Sequence, residues 1–331
     1  MKKTLIASAI AAVAFSGTAM AQESNLPTVY GNIQYALSHT NTEGGGSSLD
    51  HYDNGSTLGV THDHEIAPGV TGFFKLELDG FNADDKSYGR GQARLDEAYI
   101  GVKGDSFGQI WVGSDDSMYE RSIDKIANFY EAGNLSIGNG DTGVYSTGEG
   151  DLIQYESPSF GGFTLGAAVQ VNGDGTAGGK SYPYQLAAAF AVDNLELAFA
   201  MDSNDGSTPY SGTTNTDPNN ENTYGLRATY KLDDLSITGQ YQTRKEVADV
   251  FGLMGVYSMG ANQFALSYEM AVADDANDTE RNTVTLQALH NLSDHMYVYF
   301  EGYLGGGDDG VYGVTNESEK SVAVVGAVYY F

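Results

Sequence analysis

The chain closes on a strict alternation: Ala323, Val325, Ala327, Tyr329 and Phe331 are apolar or aromatic at every second position. A period of two marks a β-strand with one apolar face. The same period recurs upstream. In Phe74-Lys75-Leu76-Glu77-Leu78-Asp79 the apolar residues share one face and the charged residues the other. In Gln263-Phe264-Ala265-Leu266-Ser267-Tyr268 the face is Phe264, Leu266 and Tyr268. Strands with a polar second face cannot bury it in a dry core, so a sheet closed from them has a wet interior.

Turn chemistry divides the pattern. Tight reversals are expected at Ala67-Pro68-Gly69, Gly104-Asp105, Pro158-Ser159, Asp193-Asn194, Asp233-Asp234, Gly260-Ala261 and Leu292-Ser293-Asp294. Between these seven lie eight longer, polar, Gly-rich and acidic connections, near 39–54, 80–91, 114–149, 172–182, 203–221, 245–248, 273–280 and 305–319. Seven short and eight long connections join sixteen strands. Short turns on one side and long loops on the other are the asymmetry of a bacterial transmembrane barrel. The connection 114–149 stands apart in length and in its apolar content (Met118, Tyr119, Ile123, Ile126, Phe129, Tyr130, Leu135 and Ile137). It is expected to fold into the barrel, with a short helix over 123–130.

The start of the chain points the same way. Lys2-Lys3, an apolar stretch from Leu5 to Phe15 and Ala19-Met20-Ala21 form an export signal with its cleavage site. Residues 1–21 are expected to be removed, leaving 22–331, 310 residues, as one barrel domain. No other stretch is apolar over the roughly 20 residues a membrane helix needs. The protein therefore crosses a membrane as a closed barrel or not at all. There are no cysteines, so an exported chain here relies on its hydrogen-bonded ladder rather than on disulfides.

Formal charge is −28, and −30 for residues 22–331 with 14 basic against 44 acidic side chains. Nucleic acid and other polyanions are poor partners for such a surface, and cations are good ones. Adaptation to salt explains the same acidity.

Several clusters suggest other chemistry and are outweighed. His62-Asp63-His64-Glu65 places two imidazoles on one strand face, but beside a turn it reads as rim residues. Gly173 to Ser181 fails the phosphate-loop spacing, because the first glycine position falls on Asp174. Asp274 to Glu280 and Asn172-Gly173-Asp174 offer oxygen ligands without the twelve-residue calcium pattern. No nucleophile elbow or paired acid/base carboxylates appear, so no enzyme, metal or cofactor is expected. The 23 tyrosines read mainly as interfacial girdles, with sugar stacking in the lumen as the alternative.

Five fragments in order resemble the Gram-negative general porins: Thr28-Val29-Tyr30-Gly31; Ser56 to Val60 followed by Gly69 to Glu77; Ala98 to Gly104 followed by Phe107 to Gly113; Tyr155 to Phe163; and Asn291-Leu292-Ser293. The resemblance implies an outer-membrane homotrimer with three water-filled pores. It also implies that Tyr329 and Phe331 belong to a signal read by the barrel-assembly machinery, and that lipid surrounds the wall. It implies a constriction between acids of the third loop and basic residues opposite. At the three positions where the family carries arginine this chain has Thr57, Asp96 and Gly148. The expected constriction is therefore Lys75, Glu77, Arg94, Asp96, Asp115, Asp116, Glu120 and Asp124, an acidic ring that favours cations. Glu97, read on the lipid-side face beside Leu95 and Tyr99, hints at a protected subunit interface. Passive diffusion of small hydrophilic solutes is the leading function; a sugar-specific channel and a non-conducting adhesin or structural barrel are the alternatives.

Overall fold

The computed structural model describes residues 26–85, 93–138, 147, 149–171, 182–204 and 221–331. The expected signal peptide lies outside them, as do Gly148 and residues 172–181. Seventeen strand segments follow one another: β1 Thr28–Thr42, β2 Gly46–Asp53, β3 Thr57–Ala67, β4 Val70–Asp79, β5 Arg94–Gly104, β6 Gly108–Ser114, β7 Leu152–Glu156, β8 Phe163–Gln170, β9 Tyr184–Val192, β10 Leu195–Asp202, β11 Thr223–Leu232, β12 Leu235–Arg244, β13 Ala248–Met259, β14 Asn262–Ala273, β15 Glu280–Asn291, β16 Met296–Gly307 and β17 Lys320–Tyr330. Between β6 and β7 lie a helix, α1 (Met118–Ile123), and a 3-10 turn at Ala127–Phe129.

The seventeen segments make sixteen staves. β2 pairs with the far half of β1 (Tyr35↔Asp53 to Thr42↔Gly46), and β3 pairs with its near half (Thr28↔Thr61 to Asn32↔Thr57). They are one stave broken at Asn54-Gly55-Ser56. Side chains bridge the break: Asp53 Oδ1 accepts from Gly55 N and Ser56 N, and Ser56 Oγ accepts from Gln34 N at 3.0 Å. The first long connection thereby shrinks from the expected 39–54 to the tip between Thr42 and Gly46, because the polar residues there continue as a hairpin.

Every neighbouring pair is antiparallel, and β1 closes on β17 from Asn32↔Tyr330 to Thr42↔Lys320. A closed ladder leaves no edge unpaired in hydrocarbon. The last residue extends the seam: Phe331 N donates to Gly31 O at 3.1 Å, and Gly31 N donates back at 3.2 Å. The Phe331 ring lies where a Cβ on residue 31 would sit, which is why glycine is required there.

Alternation runs round the wall. On β14, Phe264, Leu266 and Tyr268 are exposed outward while Gln263, Ser267 and Glu269 are buried inward. Outward aromatics gather toward the short turns (Phe163, Tyr230, Tyr257, Phe264, Tyr329) and toward the long-loop end (Tyr184, Tyr224, Phe251, Tyr268). Not all tyrosines follow the girdle reading: Tyr130, Tyr297, Tyr299 and Tyr303 are buried inside. They belong to the main apolar cluster with Ile126, Met254, Leu289, Val322 and Val324. The core is thus off-centre, between the inner wall and the loop that follows β6.

The seam gives a direct test. Gly31→Val puts its Cβ 2.6 Å from Thr57 O and 2.7 Å from the Phe331 ring, whereas a Cβ at Gly255 meets nothing within 4 Å. Gly31→Val should lower the temperature at which the folded barrel loses its heat-resistant band in SDS electrophoresis, and Gly255→Ala should leave it unchanged.

Candidate functional site

The connection from β6 to β7 turns inward and is bonded along the opposite wall. α1 starts at a side-chain cap: Ser117 Oγ accepts from Glu120 N at 3.2 Å. Its apolar side, Met118, Tyr119 and Ile123, is buried against the inner faces of β8 to β11. Tyr119 N donates to Gln185 Oε1 at 3.0 Å, and the Tyr119 hydroxyl to Gln242 Oε1 at 3.1 Å. Ile126 N donates to Gln240 Oε1 and the Tyr130 hydroxyl to Ser267 Oγ. Farther on, Glu301 accepts from Glu131 N and Ala132 N, Glu269 from Ile137 N, and Asp202 from Thr147 N. The inward fold read from Tyr119, Ile123, Ile126 and Ile137 is what the structure has: all four are fully buried. The helix is not at the expected 123–130 but at Met118–Ile123, where Ser117 caps it, and a 3-10 turn at Ala127–Phe129 takes up part of the expected span. The lumen left open lies between this loop and the wall of β3 to β5.

That wall contains a bulge. Leu76 pairs with Ala98 but Leu78 with Leu95, so β5 carries one more residue than β4 there. Outward exposure consequently jumps from Leu95 (55%) to Ile100 (65%), residues of opposite parity. Glu97 is therefore not on the lipid face, which corrects the interface reading of its strand position. It turns inward and pairs with Lys75, and Tyr99 stacks edge-on against Phe73 inside the barrel. Lys75 also lies 3.7 Å from Glu77, whose carboxyl is in hydrogen-bonding contact with Asp96. Thr57 faces the same space and accepts from Asn32 Nδ2 at 3.1 Å.

Of the expected constriction residues, Glu77, Asp96, Asp116 and Glu120 share this lumen side, but three do not sit as read. Asp115 is 7% exposed and accepts from Trp111 Nε1 (2.7 Å) and Gln154 Nε2 (3.2 Å). Burial pushes its carboxyl up, with Arg121 and Trp111 opposing. Asp124 is 2% exposed at the C-terminal end of α1. Arg94 is at the long-loop end of β5, its side chain 72% exposed and paired with Asp79 at 3.0 Å. Neither strand parity nor loop composition distinguishes a buried loop acid from an exposed one.

Sequence reasoning missed Glu149 and the loop's own cations. Asp115 N donates to Glu149 O, which closes the base of the loop and brings Glu149 beside Asp116 and Glu120. One carboxylate oxygen from each of the three lies within 4.8 Å of the others, a separation a divalent cation can bridge. Burial, then Glu120 and Asp116, push the Glu149 carboxyl up to about 7. Arg121 stacks over the Trp111 ring at 4.9 Å beside the buried Asp115. Lys125 follows α1 with its stem exposed and its ammonium crowded toward Arg227 and Arg121; partial desolvation of that ammonium and the two guanidiniums hold it below the usual lysine range. Arg227 itself is paired with Glu196 and donates to Ser122 O at 2.8 Å.

Two other sequence clusters fall among the described residues and lie away from this site. His62 and His64 stack at 5.3 Å on the outer face, His62 opposite Phe74. Asp275 spends its carboxylate on Asn277 N, Thr279 N and Thr279 Oγ1, which fixes the 274–279 turn from within.

A family model described as Gram-negative porin matches residues 7–310. A "Monosaccharide porin" of Halomonas sp and a "Major outer membrane protein" of Halomonas elongata are each 30% identical over 91% of this chain and 94% of their own. "Outer membrane porin protein 32" of Delftia acidovorans is 27% identical over 90% of this chain. Among solved structures, an "Anion-selective porin from Comamonas acidovorans" superposes with a TM-score of 0.70 at 18% identity, covering 92% of this chain and 99% of its own. OmpF of Salmonella typhi superposes with a TM-score of 0.70 at 15% identity, covering 93% and 98%. A wet-lumened sixteen-stave barrel with an inward loop and relatives of this kind is no enzyme: the chain belongs to the Gram-negative porin family and is a channel of the outer membrane.

Proposed function

We propose that this porin is a passive diffusion pore for small hydrophilic solutes that passes cations more readily than anions. The observation that supports the preference is the balance left after local pairs cancel. Lys75 is offset by Glu97, Arg227 by Glu196, and Arg121 by the Asp115 it lies beside. Glu77, Asp96, Asp116, Glu120 and Glu149 then remain against Lys125. The similar anion-selective porin shares this fold at 18% identity, which carries no charge from its pore into this one. We further infer a homotrimer set in outer-membrane lipid, since OmpT of Vibrio cholerae, which superposes with a TM-score of 0.66, is described in a trimer form. Tyr329 and Phe331, both exposed at the closing seam, are well placed to be read by the assembly machinery.

Reversal potentials in planar bilayers under a potassium chloride gradient test the preference. One unit charge about 8 Å from the ion path is worth ~0.5 kcal/mol in water, or about a twofold change in local cation concentration. Asp116→Asn should lower the potassium-to-chloride permeability ratio by about that factor, and Asp96→Arg, which moves two charges, by more. A potential of anion-selective sign in the native protein sinks the proposal.

Proton control of the same ratio follows from Glu149. Its carboxyl is neutral below about 7 and ionised above it, so each pore gains a negative charge as pH rises. Cation preference should increase between pH 6 and pH 8, and Glu149→Gln should flatten that rise.

A second reading, passage of monosaccharides, is favoured by the relative named for it at 30% identity. Liposome swelling decides between the two. Rates for hexoses that simply fall with solute size support diffusion alone; saturable uptake, or current block by glucose, supports a sugar site.

A further inference from the structure

The tip of the inward loop is held by one carboxylate and carries another. Glu301, fully buried on β16, accepts from Glu131 N (2.8 Å), Ala132 N (3.0 Å), Gln287 Nε2 (2.8 Å) and the Tyr303 hydroxyl (2.6 Å). Four donors converge on its two oxygens. The first donor belongs to Glu131, whose own carboxyl lies near enough to Glu301 to feel its charge. Tyr297 from β16 hydrogen-bonds that carboxyl, and the hydroxyls of Tyr299 on β16 and Tyr330 on β17 stand close to it. Across the stave break, Asn54 Nδ2 donates to Glu131 O at 2.7 Å and to the Tyr299 hydroxyl at 3.0 Å. On β2, Tyr52 faces Glu301. The groups that act electrostatically on the Glu131 carboxyl are thus Glu301 and these tyrosines, with no lysine or arginine among the described residues.

We propose that Glu131 and Glu301 form a proton-operated latch, which holds the loop tip on the wall while Glu131 is protonated and loosens it when Glu131 ionises. The chemistry is that of two carboxyls in one poorly solvated site, where burial and the neighbouring carboxyl both resist the ionisation of Glu131. Burial, with Glu301 adding to it and the Tyr297 hydroxyl opposing, pushes the Glu131 carboxyl up to about 7. A raised acid favours the docked state at low pH. Docking is strongest below the ordinary glutamate value of about 4.3, weakens as pH rises through it, and reaches its floor above about 7. A released tip has the lumen to move into, so the passage narrows as the medium turns alkaline. This latch rests on the loop's docking and not on the ion preference proposed above.

Hydrogen exchange of the full-length protein in detergent, read by mass spectrometry on peptides spanning Glu131 and Ala132, tests it. After correction for the intrinsic pH dependence of exchange, protection of these two amides should fall about tenfold or more from pH 5 to pH 8. Peptides from β14 to β16 should show no such slope. Glu131→Gln, neutral at every pH, should keep the tip protected throughout. Native protection that is flat with pH overturns the latch, and so does an unchanged slope in Glu131→Gln. Reversal potentials report on the ion preference separately, so failure of either idea is recognisable without the other.

Discussion

Buried carboxylates that accept the backbone N–H groups of the inward loop are the constraint on which the pore depends. Asp202, Glu269 and Glu301 are each 0% exposed on the inner wall. Taking a carboxylate out of water costs several kcal/mol unless donors replace the solvent. Asp202 receives Thr147 N, Thr147 Oγ1, Gln185 Nε2 and Asn204 N. Glu301 receives four donors, two of them from the loop. A hydrogen bond to a charged group contributes about 1.5–3 kcal/mol, so a wall without the loop would carry acids stripped of much of their compensation. The reverse holds too. Loop N–H groups 131, 132, 137 and 147 have no helix or sheet of their own to satisfy them, and the wall does so. Wall and loop therefore fold as one object, with Tyr119, Ile123, Ile126 and Ile137 filling the gap between them.

The opposite wall is shaped by a smaller event. The extra residue in β5 rotates Glu97 inward next to Lys75 and leaves Asp96 beside Glu77. Without that bulge the alternation would send Glu97 into lipid, where a charged side chain near the midplane costs about 2–4 kcal/mol for a lysine or arginine and somewhat less for an acid. With it, the strand's two acids both reach the lumen, and Lys75 is neutralised there. A single register slip thus adds a second acid from β5 to this wall and deepens its negative charge.

How far the sequence reveals this depends on the range of the signal. Strand number, turn positions and the closing seam follow from period-two alternation and from residues such as Pro68-Gly69 and Asp193-Asn194, whose preferences are local. The inward loop was legible because Ile123, Ile126 and Tyr130 have no reason to be in a solvated loop. Its partners were not, since Glu269 and Glu301 read like any other inward polar residues of a wet barrel. The bulge was invisible because Leu95-Asp96-Glu97-Ala98-Tyr99 alternates acceptably in either register. Asp115 and Asp124 read as pore acids, although tertiary contacts with Trp111 and with the end of α1 bury them. Glu149 comes into play only through a backbone hydrogen bond across the base of a 36-residue segment (114–149), a contact no local pattern encodes.

Net charge alone does not set what such a pore passes. Much of the −28 lies on rim turns; Asp275 and Asp308 there cap backbone N–H groups of their own and neighbouring turns. Charges beyond the Debye length of about 8–10 Å from the ion path are screened. On α1 the helix sorts neighbouring charges by angle. Glu120 and Arg121 are consecutive, hence about 100° apart around the axis at 3.6 residues per turn. One lies with Asp116 and Glu149 on the lumen side; the other turns to the Trp111 ring and the buried Asp115. The Ser117 cap, by starting the helix where it does, fixes that angle and sets Glu120 beside Asp116 and Glu149.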